Sequence, residues 1–148
     1  MNAISPPSRY AAGFDQPVRG DTITADRYIS NEWMAKEDEH LWPKVWHLGA
    51  VTAELEEEGD FVRHNFGKES VVMVKQADGG IKAFYNTCPH RGNRLVLGDT
   101  GSVPRLTCGY HGWQFDPDGT LVHVQDPNDF EGGNPCGKVK LVDVRCET

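Results

Sequence analysis

Hydrophobic positions change their spacing twice along this chain. Residues 1–28 keep no apolar period and are broken by Pro6, Pro7, Gly13, Pro17 and Gly20. They predict an irregular arm, ordered only where a partner holds it. Ser30 then stands where a helix N-cap belongs. Trp33, Met34, Leu41 and Trp42 return at helical spacing, with Glu37, Asp38 and Glu39 set toward the other side. Pro43 supplies the stop, so one helix is expected from about residue 30 to about residue 42.

Beyond Pro43 the pattern shortens to that of strands. "KVWHLGAV" (44–51), "DFVRHNF" (60–66), "SVVMVK" (70–75) and "IKAFYN" (81–86) are rich in β-branched and aromatic residues and bounded by turn residues. "ADGG" at 77–80 has hairpin-turn chemistry. "WQF" and "TLVHV" flank a "DPDG" turn, and "KVKLVDVRC" (138–146) reads as a last strand. Between them, 87–112 is rich in Gly, Pro and polar residues and obeys neither period. The expectation is a mainly β, antiparallel domain with one N-terminal helix and two loops presented together.

Composition narrows the function classes. The chain has 148 residues, enough for one domain with a core. A formal charge of −7 argues against nucleic-acid binding, which needs a basic face. No apolar run approaches a membrane span, and "MNAISPPSRY" lacks the charged and apolar regions of an export signal. A cytoplasmic setting follows as the expectation. In a reducing compartment the 4 cysteines point toward metal more than toward a disulfide framework.

The chemistry gathers in the aperiodic segment. Cys88-Pro89-His90 is followed, after seventeen residues, by Cys108-Gly109-Tyr110-His111. Two Cys and two His make a closed tetrahedral zinc site, and zinc stays open as an alternative. Zinc pairs of that composition usually keep like ligands together, whereas each loop here offers one of each. That suits two metals, each loop giving its Cys to one iron and its His to the other, as in a Rieske [2Fe–2S] centre. Bridging sulfides favour backbone N–H donors, which glycine-rich loops supply; Gly92, Gly109 and Gly112 flank the ligands.

"CPHRG…CGYHGWQFDPDGTL", with "IKAFYN" ahead of it and Trp46-x-Leu48 further upstream, resembles the cluster-binding segment of Rieske non-haem iron oxygenases of the ring-hydroxylating type, in their alpha subunit. The resemblance runs from about residue 28 to the C-terminus. It implies a Rieske-type antiparallel β-sandwich over 29–148 and a cluster-binding subdomain of two loops at about 87–113. Cys88 and Cys108 would hold the inner iron and His90 and His111 the outer one, with Arg91, Gly92, Gly109, Tyr110, Gly112 and Trp113 around them. It further implies that NAD(P)H electrons arrive through a reductase, with or without a ferredoxin. They would pass to a mononuclear Fe(II) that activates O₂ in a catalytic domain, of the same or a neighbouring subunit. That domain is expected to be missing from this chain, which alone should oxidise nothing. A stand-alone Rieske ferredoxin is the other reading. Trp113 and Phe115 stand where the respiratory branch carries hydroxyls that bond to sulfur, so a low potential, about −150 mV, is expected.

Other candidates are weaker. Glu37, His40 and His47 suggest a two-His, one-carboxylate iron site, but Pro43 separates the histidines and a solvated helix explains them better. His64 and His123 read as surface or packing residues, and Cys136 and Cys146 as free thiols. The acidic run "ELEEEGD" (54–60) fits a solvated loop, or a reductase dock. Arg91 and Arg94 could screen the negative charge a reduced cluster gains, or simply face solvent.

Overall fold

A computed structural model describes residues 24–148; the predicted arm, as far as residue 23, lies outside the described residues. The chain separates into two compact units at Glu37 and Asp38. A single helical turn, α1 (Asp26–Ile29), falls where an irregular arm was expected. Helix α2 (Asn31–His40) follows, and the Ser30 hydroxyl accepts a hydrogen bond from Glu32 N at 3.2 Å, the expected N-cap. The helix ends two residues short of the predicted Trp42, because Pro43 lies in a separate 3₁₀ turn, Trp42–Lys44. None of its residues is buried, so the expected apolar stripe does not form a core face. Trp33 instead lies under the cations of Arg27 and Lys36, at 4.8 and 5.0 Å from its ring.

In the second unit all strands pair antiparallel. One sheet has the order β4 (Thr100–Ser102), β1 (Asp60–Phe66), β2 (Glu69–Lys75), β3 (Ile81–Tyr85), β8 (Asp143–Val144). The other runs β5 (Leu106–Thr107), β6 (Gln114–Phe115), β7 (Leu121–His123). The "ADGG" turn closes the β2–β3 hairpin as expected: Gln76 N donates to Gly80 O, and Gly80 N to the Asp78 carboxylate, each at 2.9 Å. Two expectations fail. Residues 44–51 form no strand, and Trp46 and Leu48 are 61% and 84% exposed. Their alternation favours extended backbone, but a strand also needs a neighbouring edge, and both sheets end elsewhere. The last strand shrinks to two residues, with Lys140 contributing one isolated bridge to Thr120.

Period-two alternation divides β2 between two cores. Val72 and Val74 pack with Phe61, Phe84, Leu106, Phe115 and Leu121, and this cluster also takes in Cys88, Cys108 and Trp113. Val71 and Met73 pack on the other face with Val62, Ala83 and Leu55. The five-stranded sheet is therefore covered on both sides, and the candidate metal loops grow from one of them. Asp116–Thr120 carries the "DPDG" turn, with Gly119 N donating to Asp116 O at 2.9 Å. Gly119 has φ +86, and a Cβ there would lie 2.6 Å from the Phe84 ring. The turn thus requires glycine for its backbone and for the core beneath it.

Candidate metal centre

The two loops are built alike. In the first, Gly92 N donates to Cys88 O at 2.9 Å and Cys88 N to Asn93 O at 2.8 Å. In the second, Gly112 N donates to Cys108 O at 3.0 Å and Cys108 N to Trp113 O at 2.8 Å. Each loop turns through a glycine in the left-handed region, Gly92 at φ +74 and Gly112 at φ +67. Gly109 has neither a positive φ nor a neighbour that a Cβ would strike. Pro89 holds the same place in the first loop, so no turn geometry requires glycine at 109.

This backbone aims amides at sulfur. The N–H groups of His90 and Arg91 point to Cys88 Sγ, and those of Tyr110 and His111 to Cys108 Sγ. Both cysteines are buried, 1% and 3% exposed, and each sulfur bears on the ionisation of the other. Burial pushes the Cys88 thiol up, with the Cys108 sulfur adding to it. Burial also presses Cys108 upward, but the Tyr110 and His111 amides, the Cys88 thiol and the Asn93 amide outweigh it, and its pKa falls below the ordinary value. A buried cysteine sulfur surrounded by N–H donors is a prepared metal ligand.

The imidazoles lie on the outer side. His90 is exposed and His111 half-buried, with ring centres 4.8 Å apart. Local desolvation by the neighbouring rings, then the charges of His111 and Arg91, lowers the His90 pKa and favours the neutral ring whose lone pair can bind metal. His111 Nδ1 is buried without a hydrogen-bond partner, which is what a nitrogen reserved for a metal requires. Trp113 stacks face to face on His90, centres 4.8 Å apart and planes 2° off parallel. Exposed Tyr110 leans on His111 at 3.8 Å. Among the described residues, no three His, Cys, Asp or Glu side chains converge where one ion could be held. The buried thiol pair and the outer imidazole pair suit a two-iron group better than a single zinc.

Residues 45–142 match the Rieske [2Fe–2S] domain family. The chain belongs to that family. It is 34% identical to the carnitine monooxygenase oxygenase subunit of Escherichia coli (strain K12) over 151 residues, covering 99% of this chain and 39% of that subunit. It is 42% identical to the biphenyl dioxygenase subunit alpha of Paraburkholderia xenovorans over 97 residues, 66% of this chain and 21% of that one. A solved quaternary ammonium Rieske monooxygenase superposes with a TM-score of 0.75 at 30% identity, over 85% of this chain and 34% of its own. The chain therefore spans about two-fifths or less of the oxygenase subunits it matches.

Within this Rieske domain the remaining candidates fall away from the loops. His47 stacks on Phe66 at 4.4 Å and its Nε2 lies 2.7 Å from Trp42 O, while His40 is exposed beside Glu39. His64 lies beside the stacked pair, its ring centre 5.6 Å from His47 and 5.8 Å from Phe66, and its Nε2 is buried without a partner. His123 is exposed on β7. Cys136 and Cys146 are free thiols packed on different cores, which keeps them apart. In the acidic run, Glu54 accepts from Val51 N and Asp60 from Glu56 and Glu57 N, so two of its carboxylates hold local backbone. No helix is long and apolar enough to cross a membrane among the described residues.

Two asparagines that pattern reading passed over matter to the site. Asn86 is fully buried at the foot of the first loop. Its Oδ1 accepts from Leu95 N and Val96 N at 3.0 and 2.9 Å, and its Nδ2 donates to Val96 O at 2.8 Å and Ser70 Oγ at 3.2 Å. It ties the two ends of the loop together. Asn93 sits one residue beyond Gly92, and its Nδ2 lies 3.8 Å from Cys108 Sγ in the opposite loop.

Proposed function

We propose that this chain is the electron-transfer domain of a Rieske oxygenase, with Cys88 and Cys108 on one iron of a [2Fe–2S] cluster and His90 and His111 on the other. The observation that carries the reading is the pair of like-built loops bringing together two buried, amide-surrounded sulfurs and two outward imidazoles. When bound, such a cluster takes up and returns a single electron. The chain's own residues do the rest. The amides of His90, Arg91, Tyr110 and His111 stabilise negative charge on the cysteine sulfurs. His90 and His111 carry the site to the surface, where a partner can approach, and exposed Arg91 adds positive charge beside it. Gly92 and Gly112 permit the turns, Trp113 covers His90 and Tyr110 shields His111.

The domain is assigned to 29–148, with the loops at 87–113. The similarity to oxygenase subunits supports placing it between a reductase or ferredoxin donor and a mononuclear Fe(II) centre that uses O₂. That centre belongs to further sequence of the parent protein or of a neighbouring subunit. Reconstitution of the chain with iron and sulfide, followed by reduction and EPR, tests the reading. A Rieske-type signal lost in Cys88→Ser and Cys108→Ser, and a lower potential in His90→Cys, are expected. Colourless protein that takes up zinc in place of iron refutes it. A single-turnover assay of the chain with Fe(II), O₂ and reductant should give no product.

A further inference from the structure

The like build of the two loops makes residues 93 and 113 equivalents: each supplies the carbonyl that accepts its own loop's cysteine N–H. Their side chains, however, cross over. Trp113 of the second loop stacks on His90 of the first. Asn93 of the first loop reaches Cys108 of the second, with Nδ2 3.8 Å from Sγ, while also donating to Arg94 O at 2.9 Å. Cys108 therefore receives the amides of Tyr110 and His111 plus a side-chain donor, whereas Cys88 receives those of His90 and Arg91. A sequence search for hydroxyls that bond to sulfur finds Trp113 and Phe115 in the expected places and misses this donor, because it comes from the opposite loop.

We propose that Asn93 is a potential-setting residue whose side-chain amide stabilises negative charge on the Cys108 sulfur and so favours the reduced state. This rests on the cluster reading above. A hydrogen bond to sulfur strengthens as an added electron raises the charge there, so its removal weakens electron uptake more than it disturbs the oxidised site. Asn93 makes no contact with iron in this scheme; it acts through Cys108.

The test is a redox titration of the reconstituted chain, following the EPR signal, for wild type and Asn93→Leu, which keeps the volume and removes the donor. The backbone carbonyl that holds Cys88 N is unchanged. The expected result is about fivefold weaker electron uptake, about 40 mV lower at 59 mV per tenfold change, with EPR line shape retained. Resonance Raman should show the iron–cysteine stretches moving, since the Sγ bond itself has changed. If Asn93→Leu does not retain iron, Asn93→Ser, too short to reach Cys108, takes its place with the same expected direction. An unchanged potential and unchanged stretches in an iron-loaded variant overturn the proposal. A wild-type chain that shows no Rieske-type signal refutes the cluster reading instead, so the two failures are distinct.

Discussion

Replacing Asn86 by leucine removes a volume-matched polar group from a fully buried position and leaves its partners behind. Four side-chain hydrogen bonds disappear, to Leu95 N, Val96 N, Val96 O and Ser70 Oγ. Two of these partners are backbone N–H groups of the buried residues Leu95 and Val96, to which leucine offers no acceptor. With the stranded donors costing about 1–3 kcal/mol each, the loss is about 2–6 kcal/mol. Urea unfolding of the iron-free chain should show a lower midpoint at unchanged slope, meaning stability lost without a change in the surface exposed. Amide hydrogen exchange gives the local readout: Leu95 and Val96 should be protected in wild type and fast in the variant, ahead of the β2 amides. The loop bearing Cys88 and His90 spans the residues Asn86 closes, so iron retention should fall as well. A loss under about 1 kcal/mol, or unchanged exchange at Leu95 and Val96, refutes the idea that this side chain closes the loop.

Other outcomes follow from single contacts. Gly119→Ala places a Cβ 2.6 Å from the Phe84 ring at φ +86, and should cost about 2–4 kcal/mol by urea unfolding. His64 has its pKa lowered from 6.5 by burial first and then by the His47 charge. The unfolded chain thus binds the proton more readily, so stability is complete above pH 6.5 and declines as pH falls toward the folded pKa. His64→Gln should flatten that part of the pH–stability profile, measured on the iron-free chain. Trp113→Ala should shift the EPR line shape, because the indole fixes the plane of His90; Trp113→Phe, which keeps a stacking face, should restore most of it.

The strands β1, β2 and β3 and the two Cys/His pairs were legible because each rests on local chemistry. Val71–Val74 alternates between faces whatever lies beyond it, and the two Cys/His pairs mark candidate metal donors by residue type and spacing. What stayed hidden depends on neighbours. Thr100–Ser102 and Leu106–Thr107 have little strand character of their own and become strands by pairing with β1 and β6. Residues 44–51 show the converse, with strand character and no edge to join. Asn86 and Asn93 look like loop polarity in the sequence. Their roles appear only when Leu95 comes back to one and Cys108 crosses to the other.

Of the chain's 4 tryptophans, Trp113 alone is buried, at 8% exposure, and it is the one lying flat on His90. Its emission should sit at the blue edge of the spectrum, apart from that of the wetter indoles. Any event that alters the imidazole electronically, such as iron arriving or leaving, should dim or brighten that edge first. The domain thus carries its own optical gauge of loading, readable without label or reductant.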